Sequence, residues 1–324
     1  MRRILEVEGL SVGLTGRPGL PTILDDVSFS VASREVLGIV GESGSGKTML
    51  ALSIMGLLPP ALRMSARRLT LLGHELAGLP REAWRSHRGR DLAMIFQEPM
   101  TSLNPVMRVG TQIEEVLRWR GHLDGAAARR RAVELLEQVE IPSPESRLAA
   151  YPHELSGGMR QRVMIAIALA AKPTLLIADE PSTALDVTVQ AQILDLLRGL
   201  QRDTGLALIL ITHDLGVIAE IADRAMVLYA GRVAETAPVR VIFDAAEHPY
   251  TQVLLSSIPD ITQRRHRLAT IPGSVPGTAN MPPGCRFAPR CRYRCDACDD
   301  APPALRRMAA DHEVGCIRPF VSAQ

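Results

Sequence analysis

The stretch Gly41–Thr48, GESGSGKT, has the residue types and spacing to hold a chain of phosphates. Its glycines let the backbone wrap close, so that the N–H groups of Gly41, Ser43, Gly44, Ser45 and Gly46 can point inward at phosphate oxygens. A helix opening at Lys47 adds the partial positive charge of its N-terminus. Lys47 contributes a point charge between phosphates, and the Thr48 hydroxyl stands where Mg²⁺ would be ligated. From average residue usage, a chain of this length carries such a match by accident about 1% of the time. Lys47 and Lys172 are the only lysines of the chain, which lowers that chance further.

Three further groups bear on the chemistry. Leu175–Glu180 is an apolar run ending in two carboxylates. Asp179 at the strand tip suits a water-mediated Mg²⁺ contact, and Glu180 suits polarising an attacking water. Such a run is weak evidence alone and gains weight beside a phosphate loop. Ser156, Gly157 and Gly158 precede a helix and make a second N-terminus able to meet a phosphate. Five cysteines, Cys285, Cys291, Cys295, Cys298 and Cys316, crowd the end of the chain, and the first 284 residues have none. In a reducing compartment that clustering suggests a metal site over disulfides.

The hydrophobic pattern supplies supports for these groups. Val36–Val40 is a continuous apolar run, read as a strand buried on both faces of a mostly parallel sheet. The loop follows it, and a helix is expected from Lys47 to about Leu57, stopped by Pro59-Pro60. Upstream, Ile4–Val7 and Val27–Val31 read as strands around a Gly/Pro-rich turn, Gly13–Pro21. Val109–Trp119, Asp124–Val139 with Asp124 as N-cap, and Met159–Ala171 read as helices. Leu175–Ala178, Val187–Arg202 and Leu208–Thr212 then alternate strand, helix, strand, an α/β signature. Ala225–Tyr229 with a turn at Gly231 predicts a hairpin. Beyond about residue 236 one helix, Pro249–Ser257, is expected, and Ile271–Gly284, with four prolines and three glycines, reads as irregular.

Composition narrows the class. The 324 residues carry 37 basic and 35 acidic side chains, a net charge of +2, which leaves no electrostatic footprint for nucleic acid. Aromatics are 3%, so the interior is expected to be Leu, Val, Ile and Ala. The longest apolar stretch, Val163–Ala171, is too short to cross about 30 Å of hydrocarbon. The two arginines at the N-terminus have no apolar run behind them, so no signal peptide is expected and the chain is placed in the cytoplasm.

Leu155–Gln161, LSGGMRQ, lies about twenty residues before Asp179, and with the phosphate loop it resembles ABC-type ATPases. The resemblance implies that Ser156, Gly157 and Gly158 serve the ATP of a partner subunit. It makes Gln97, after the run Ala93–Phe96, the Q-loop glutamine that touches Mg²⁺ and the attacking water. Ser182–Asp186 becomes the D-loop, and His213 the switch histidine that contacts the γ-phosphate. Gln97–Pro105, Ser156–Ala166, His248–Leu255 (HPYTQVLL) and Pro283–Cys291 (PGCRFAPRC) are similar to the nucleotide-binding subunits of peptide/nickel importers. In that branch the pattern Cys-x5-Cys-x6-Cys with a distant fourth cysteine selects Cys285, Cys291, Cys298 and Cys316 and implies a [4Fe–4S] cluster. Zn²⁺ and free thiols are the alternatives, and Cys295 is spare. Arg286, Arg290, Arg292 and Arg294 are expected to form a solvated face, the alternative being to offset thiolate charge. Where the family sets an aromatic against adenine, this chain has Leu14.

The resemblance therefore implies an α/β fold: a P-loop ABC-type ATPase core over residues 1–236, a helical subdomain inserted at about 98–156, and a small irregular Cys-containing extension over 237–324. ATP and Mg²⁺ are the expected cofactors beside the cluster. Hydrolysis would power uptake of peptides or a related small solute. The expected partners are a second ABC ATPase subunit, identical or related, two membrane permease subunits, and indirectly an extracytoplasmic solute-binding protein, with no nucleic acid. The chain would sit peripherally on the cytoplasmic face of the inner membrane. A rival class is a soluble ABC-type ATPase acting on DNA or ribosomes. The 106 residues between Thr48 and Leu155 leave no room for the long coiled coil of DNA-repair members, and one cassette is present where translation factors carry two. A third class is a redox sensor built around the cysteines.

Overall fold

The computed structural model describes residues 2–16, 22–121, 123–183, 185–257 and 273–319. The chain forms two compact units. One comprises residues 1–2, 32–34 and 79–209, the other residues 3–31, 35–78 and 210–324. Among the described residues no helix is long and apolar enough to cross a membrane.

The unit that carries the phosphate loop holds two sheets. In the first, Arg3–Leu14 pairs antiparallel with Leu62–Ser65 and with Arg68–Leu71. The strand Leu24–Ala32 buries Val27, Phe29 and Val31 at alternate positions, the period-2 pattern of a half-buried strand, and also Leu24 at its start. In the second, Val36–Val40 runs parallel to Arg224–Tyr229, with Ile39 opposite Met226. All five residues of Val36–Val40 are buried, as an apolar run covered on both faces requires. Gly38 matters here: a Cβ on it would lie 2.5 Å from Ile218 Cδ1, so its bare backbone lets the helix Leu215–Ile221 lie against the strand. Arg224–Tyr229 turns into Arg232–Pro238 as the expected hairpin. The extension then adds to it, since His312–Val314 pairs with Arg232–Pro238 and Arg306–Ala309 pairs with His312–Val314.

The other unit sets the parallel strands Leu92–Ile95 and Leu175–Asp179 side by side, with Ile95 opposite Ala178. Its longer helices are Val109–Gly121, Gly125–Gln138, Gly157–Leu169 and Val187–Thr204. Gly157–Leu169 is apolar on most sides and correspondingly buried. Its one buried guanidinium, Arg162, is satisfied by the Val139 carbonyl and the Glu140 carboxylate, both at 2.8 Å.

Several boundaries differ from expectation for local reasons. The first strand runs through Glu6 and Glu8 to Leu14, because its polar residues alternate outward. The helix from Lys47 ends at Ile54, where Gly56 at φ +63° turns the chain before the prolines are reached. Asp124 stands at the N-cap position but makes no capping bond, and the helix opens at Gly125. The short strands Leu62–Ser65 and Arg68–Leu71 and the helix Val239–Ala245 went unread in the sequence. Residues 17–21, Ala184 and 271–272, parts of the expected turn, D-loop and irregular run, lie outside the described residues.

His248 opens the helix Pro249–Ser256, and its Nδ1 accepts the Tyr250 N–H at 3.0 Å. Burial pushes its pKa down from 6.5 to about 4. The unfolded chain would take up this proton near pH 6.5, the folded chain only near pH 4. The stability His248 contributes is thus complete above about pH 6.5 and is lost as the pH falls toward 4. In urea unfolding, the wild type should lose roughly 2 kcal/mol more than His248→Gln between pH 7 and pH 5.

Candidate functional site

The phosphate loop folds around its own lysine. Lys47 is 6% exposed, and its Nζ donates to the carbonyls of Gly41 at 2.7 Å and Glu42 at 3.1 Å. Gly46 caps the helix Lys47–Ile54 in the left-handed conformation at φ +102°. A Cβ at Gly41 would stand 2.2 Å from the Leu228 carbonyl oxygen, so only glycine lets the loop leave the strand there. At Gly44, φ +80°, the space is open to 4 Å. Ser45 Oγ is buried with no hydrogen-bond partner among the described residues, a polar atom inside the loop that suits a phosphate. The loop is also held from behind. The Glu42 amide donates to Tyr250 Oη at 2.9 Å, and the Gly231 amide donates to the Ser45 carbonyl at 2.8 Å. Thr48 is exposed at the loop's end, and His213 is exposed just beyond the strand Ala207–Thr212.

In the other unit, the register of the two parallel strands delivers Gln97 and Glu180 to the same end of the sheet, where parallel sheets place ligands. Gln97 Nε2 donates to Glu180 Oε2 at 3.2 Å, and Thr183 Oγ1 donates to the same oxygen at 2.8 Å. Glu180 takes a left-handed backbone, φ +46°. Asp179 is 1% exposed at the strand tip. Ser156 Oγ accepts the Met159 amide and so caps the helix Gly157–Leu169. Ser156 and Gly157 are exposed, and Gly158 is bare because a Cβ there would meet Val189 Cγ1 at 2.7 Å. Asp186 of the expected D-loop caps the helix Val187–Thr204. Leu14, the residue expected in place of an aromatic, ends its strand half-exposed.

Cys285, Cys291, Cys298 and Cys316 line one small cavity of about 20 Å³ with His248, Phe287 and Tyr293. Cys295 does not line it, and its Sγ lies 3.8 Å from that of Cys298. The sulfur set thus suits either expected metal group. Yet among the described residues no three His, Cys, Asp or Glu side chains stand as a metal-holding group. The expected four-sulfur centre is therefore not formed by the side chains as they lie. Burial pushes the Cys285 thiol up to about 11 and raises Cys291, Cys298 and Cys316 as well.

The expected solvated arginine face needs a second correction. Arg292, over the Tyr293 ring at 4.7 Å, and Arg294, paired with Asp299, are exposed as expected. The side chains of Arg286 and Arg290 are each only 6% exposed. Sequence reading gave no individual role to Thr183 within the expected D-loop, to Glu42 within the phosphate loop, or to Tyr250 within the run His248–Leu255.

Residues 24–183 match the ABC transporter family, and residues 234–298 match the oligopeptide/dipeptide transporter, C-terminal region. The dipeptide transport ATP-binding protein DppD of Escherichia coli K12 is 48% identical over 320 residues, covering 99% of this chain and 98% of that protein. The chain belongs to the ABC transporter family. A relative named as a peptide import ATP-binding protein of Brucella abortus is 51% identical over 302 residues, 93% of this chain and 91% of its own. Two solved ABC cassettes share the fold. One is cbiO1 of Clostridium perfringens, part of an ABC transporter complex, with TM-score 0.63 and 26% identity over 76% of this chain and 92% of that one. The other is a dimeric cassette bound to ADP and phosphate, with TM-score 0.62 and 27% identity over 73% and 99%. The α/β class read from the sequence is that of an ABC ATPase cassette.

The cassette's glycines separate two costs. Gly44→Ala meets open space and should cost about 1–2 kcal/mol, the penalty of a left-handed residue. Gly41→Ala meets the Leu228 carbonyl and should cost more, with ATP binding lost. Thermal unfolding and nucleotide titration of the two variants check the difference.

Proposed function

We propose that this chain is the ATP-hydrolysing subunit of a membrane importer for peptides or a related small solute. The observation that carries the reading is a cassette followed, in one chain, by an oligopeptide/dipeptide C-terminal region, with 48% identity to a dipeptide transport ATP-binding protein across 99% of this chain. Residues 1–236 act as the cassette, about 98–156 as its helical subdomain, and 237–324 as the extension.

On this reading the backbone of Gly41–Gly46 and the Lys47 ammonium bind the phosphates of ATP. Thr48, Gln97 and Asp179 hold Mg²⁺, which when bound offsets charge between the phosphates. Glu180 accepts the proton of the attacking water, and Gln97 and Thr183 orient its carboxylate. His213 contacts the γ-phosphate. Ser156, Gly157 and Gly158 face the ATP of a second ATPase subunit, identical or related. Catalysis is positioning and charge neutralisation. The helical subdomain passes closure to two permease subunits, with the chain peripheral on the cytoplasmic face of the inner membrane and a solute-binding protein acting from the other side. The rival soluble ATPase on DNA or ribosomes gains no support from the C-terminal region.

Cys285, Cys291, Cys298 and Cys316 hold a [4Fe–4S] cluster in this reading. Support comes from the one cavity these four line and Cys295 does not. The cluster, or Zn²⁺ on the same sulfurs, would tie the extension's loops together in place of a core. Anaerobically purified protein should be brown and lose iron and sulfide in Cys291→Ser but not in Cys295→Ser. Colourless protein with one zinc per chain would put zinc in the cluster's place.

Detergent-solubilised membranes should yield this chain with two membrane proteins, and vesicles holding the complex should accumulate dipeptide only with ATP. Lys47→Ala should abolish ATP binding. Glu180→Gln should bind ATP and slow single-turnover hydrolysis by about 10²-fold or more. Wild-type turnover in Glu180→Gln would remove that residue from the role.

A further inference from the structure

Arg290 reaches out of the cysteine-bearing extension to the phosphate loop. Its Nη1 and Nη2 donate to the two carboxylate oxygens of Glu42 at 3.1 and 3.0 Å, a two-pronged pair. Nη1 also donates to Tyr229 Oη at 3.3 Å, and the guanidinium lies 5.7 Å from the Tyr229 ring centroid. Glu42 is the second residue of the loop. Its carbonyl accepts from Lys47 Nζ and its amide is held by Tyr250. Fixing the Glu42 side chain therefore fixes the peptide that faces the phosphate-binding lysine.

Arg286 braces the same loop by another path. It donates to the carbonyls of Ala230 and Thr22 and pairs with Asp25 at 3.1 Å. Ala230 precedes Gly231, whose amide holds the Ser45 carbonyl. Both arginines lie between Cys285 and Cys291. A buried ion pair is weak as a source of stability, because desolvation offsets most of its attraction. Its geometry is specific, however, and a loop with glycines at 41, 44 and 46 has much freedom to lose on binding.

We propose that Arg290 is a positioning residue for ATP: through Glu42 it presets the phosphate loop, and Arg286 supports the loop through the Ala230–Gly231 turn, so that the fold of the Cys285–Cys291 segment sets nucleotide affinity. The inference rests on the reading of Gly41–Thr48 as the ATP site. It makes the extension part of that site as well as a neighbour of it.

The test is equilibrium titration of the full-length chain with a fluorescent ATP analogue, with thermal unfolding to confirm that each variant is folded. Arg290→Ala should raise Kd about tenfold, and so should Glu42→Ala. The double variant should be no worse than either single one, the mark of a shared link. Arg290→Lys should recover part of the affinity, because a point charge replaces the fork. Hydrolysis by saturated protein should change less than twofold, so that KM moves and kcat does not. Cys291→Ser should weaken binding in the wild-type background and add nothing to Arg290→Ala. The exposed Arg292→Ala should leave affinity unchanged. Should Arg290→Ala fail to fold, Glu42→Gln reads the same link with the side-chain size kept. Wild-type Kd in Arg290→Ala, or additive losses in the double variant, would overturn the proposal. ATP binding that survives Lys47→Ala would instead overturn the reading of the loop itself.

Discussion

Lys47 is 6% exposed, and burying an ammonium is costly unless acceptors surround it. The acceptors are backbone carbonyls at Gly41 and Glu42, which can face inward only if the chain reverses its curl within a few residues. That requirement explains the glycines, the strand that delivers Gly41 at a fixed height, and the turn at Ala230–Gly231 that supports Ser45 from behind. The α/β arrangement around the loop is the frame that makes such a curl affordable.

Much of this frame could be read from the chain alone. Val36–Val40 and Leu175–Asp179 are legible because a strand covered on both faces must be apolar throughout. The places of Lys47, Asp179 and Glu180 at the ends of such strands were legible from spacing, while Gln97 entered through the family resemblance. The strands Leu62–Ser65 and Arg68–Leu71 were not, since four residues with partly exposed sides carry too little pattern. Arg286 and Arg290 misled for a different reason. Beside cysteines and other arginines they read as surface, while the carboxylate that buries Arg290 lies 248 residues earlier in the chain. No local pattern encodes a partner at that distance.

The extension packs two buried aromatic side chains, Tyr250 and Phe287, against Tyr229 of the hairpin and adds a polar anchor. Glu235 is fully buried, and its carboxylate accepts the amides of Glu247 and His248 at 2.8 and 3.0 Å and His312 Nε2 at 2.8 Å. One carboxylate on the hairpin thus gathers the start of the helix Pro249–Ser256 and a strand near the end of the chain. Removing one member of such a buried set strands the others without partners, so the group behaves as a single unit. The extension therefore borrows its order from the cassette's hairpin.

The left-handed backbone of Glu180, φ +46°, has a consequence of its own. A side chain with a Cβ pays about 1–2 kcal/mol for that conformation, and glycine pays almost nothing. Glycine at position 180 would relieve that cost and at the same time remove the carboxylate to which Gln97 and Thr183 donate, so the backbone's ease and the side chain's hydrogen bonds pull in opposite directions there.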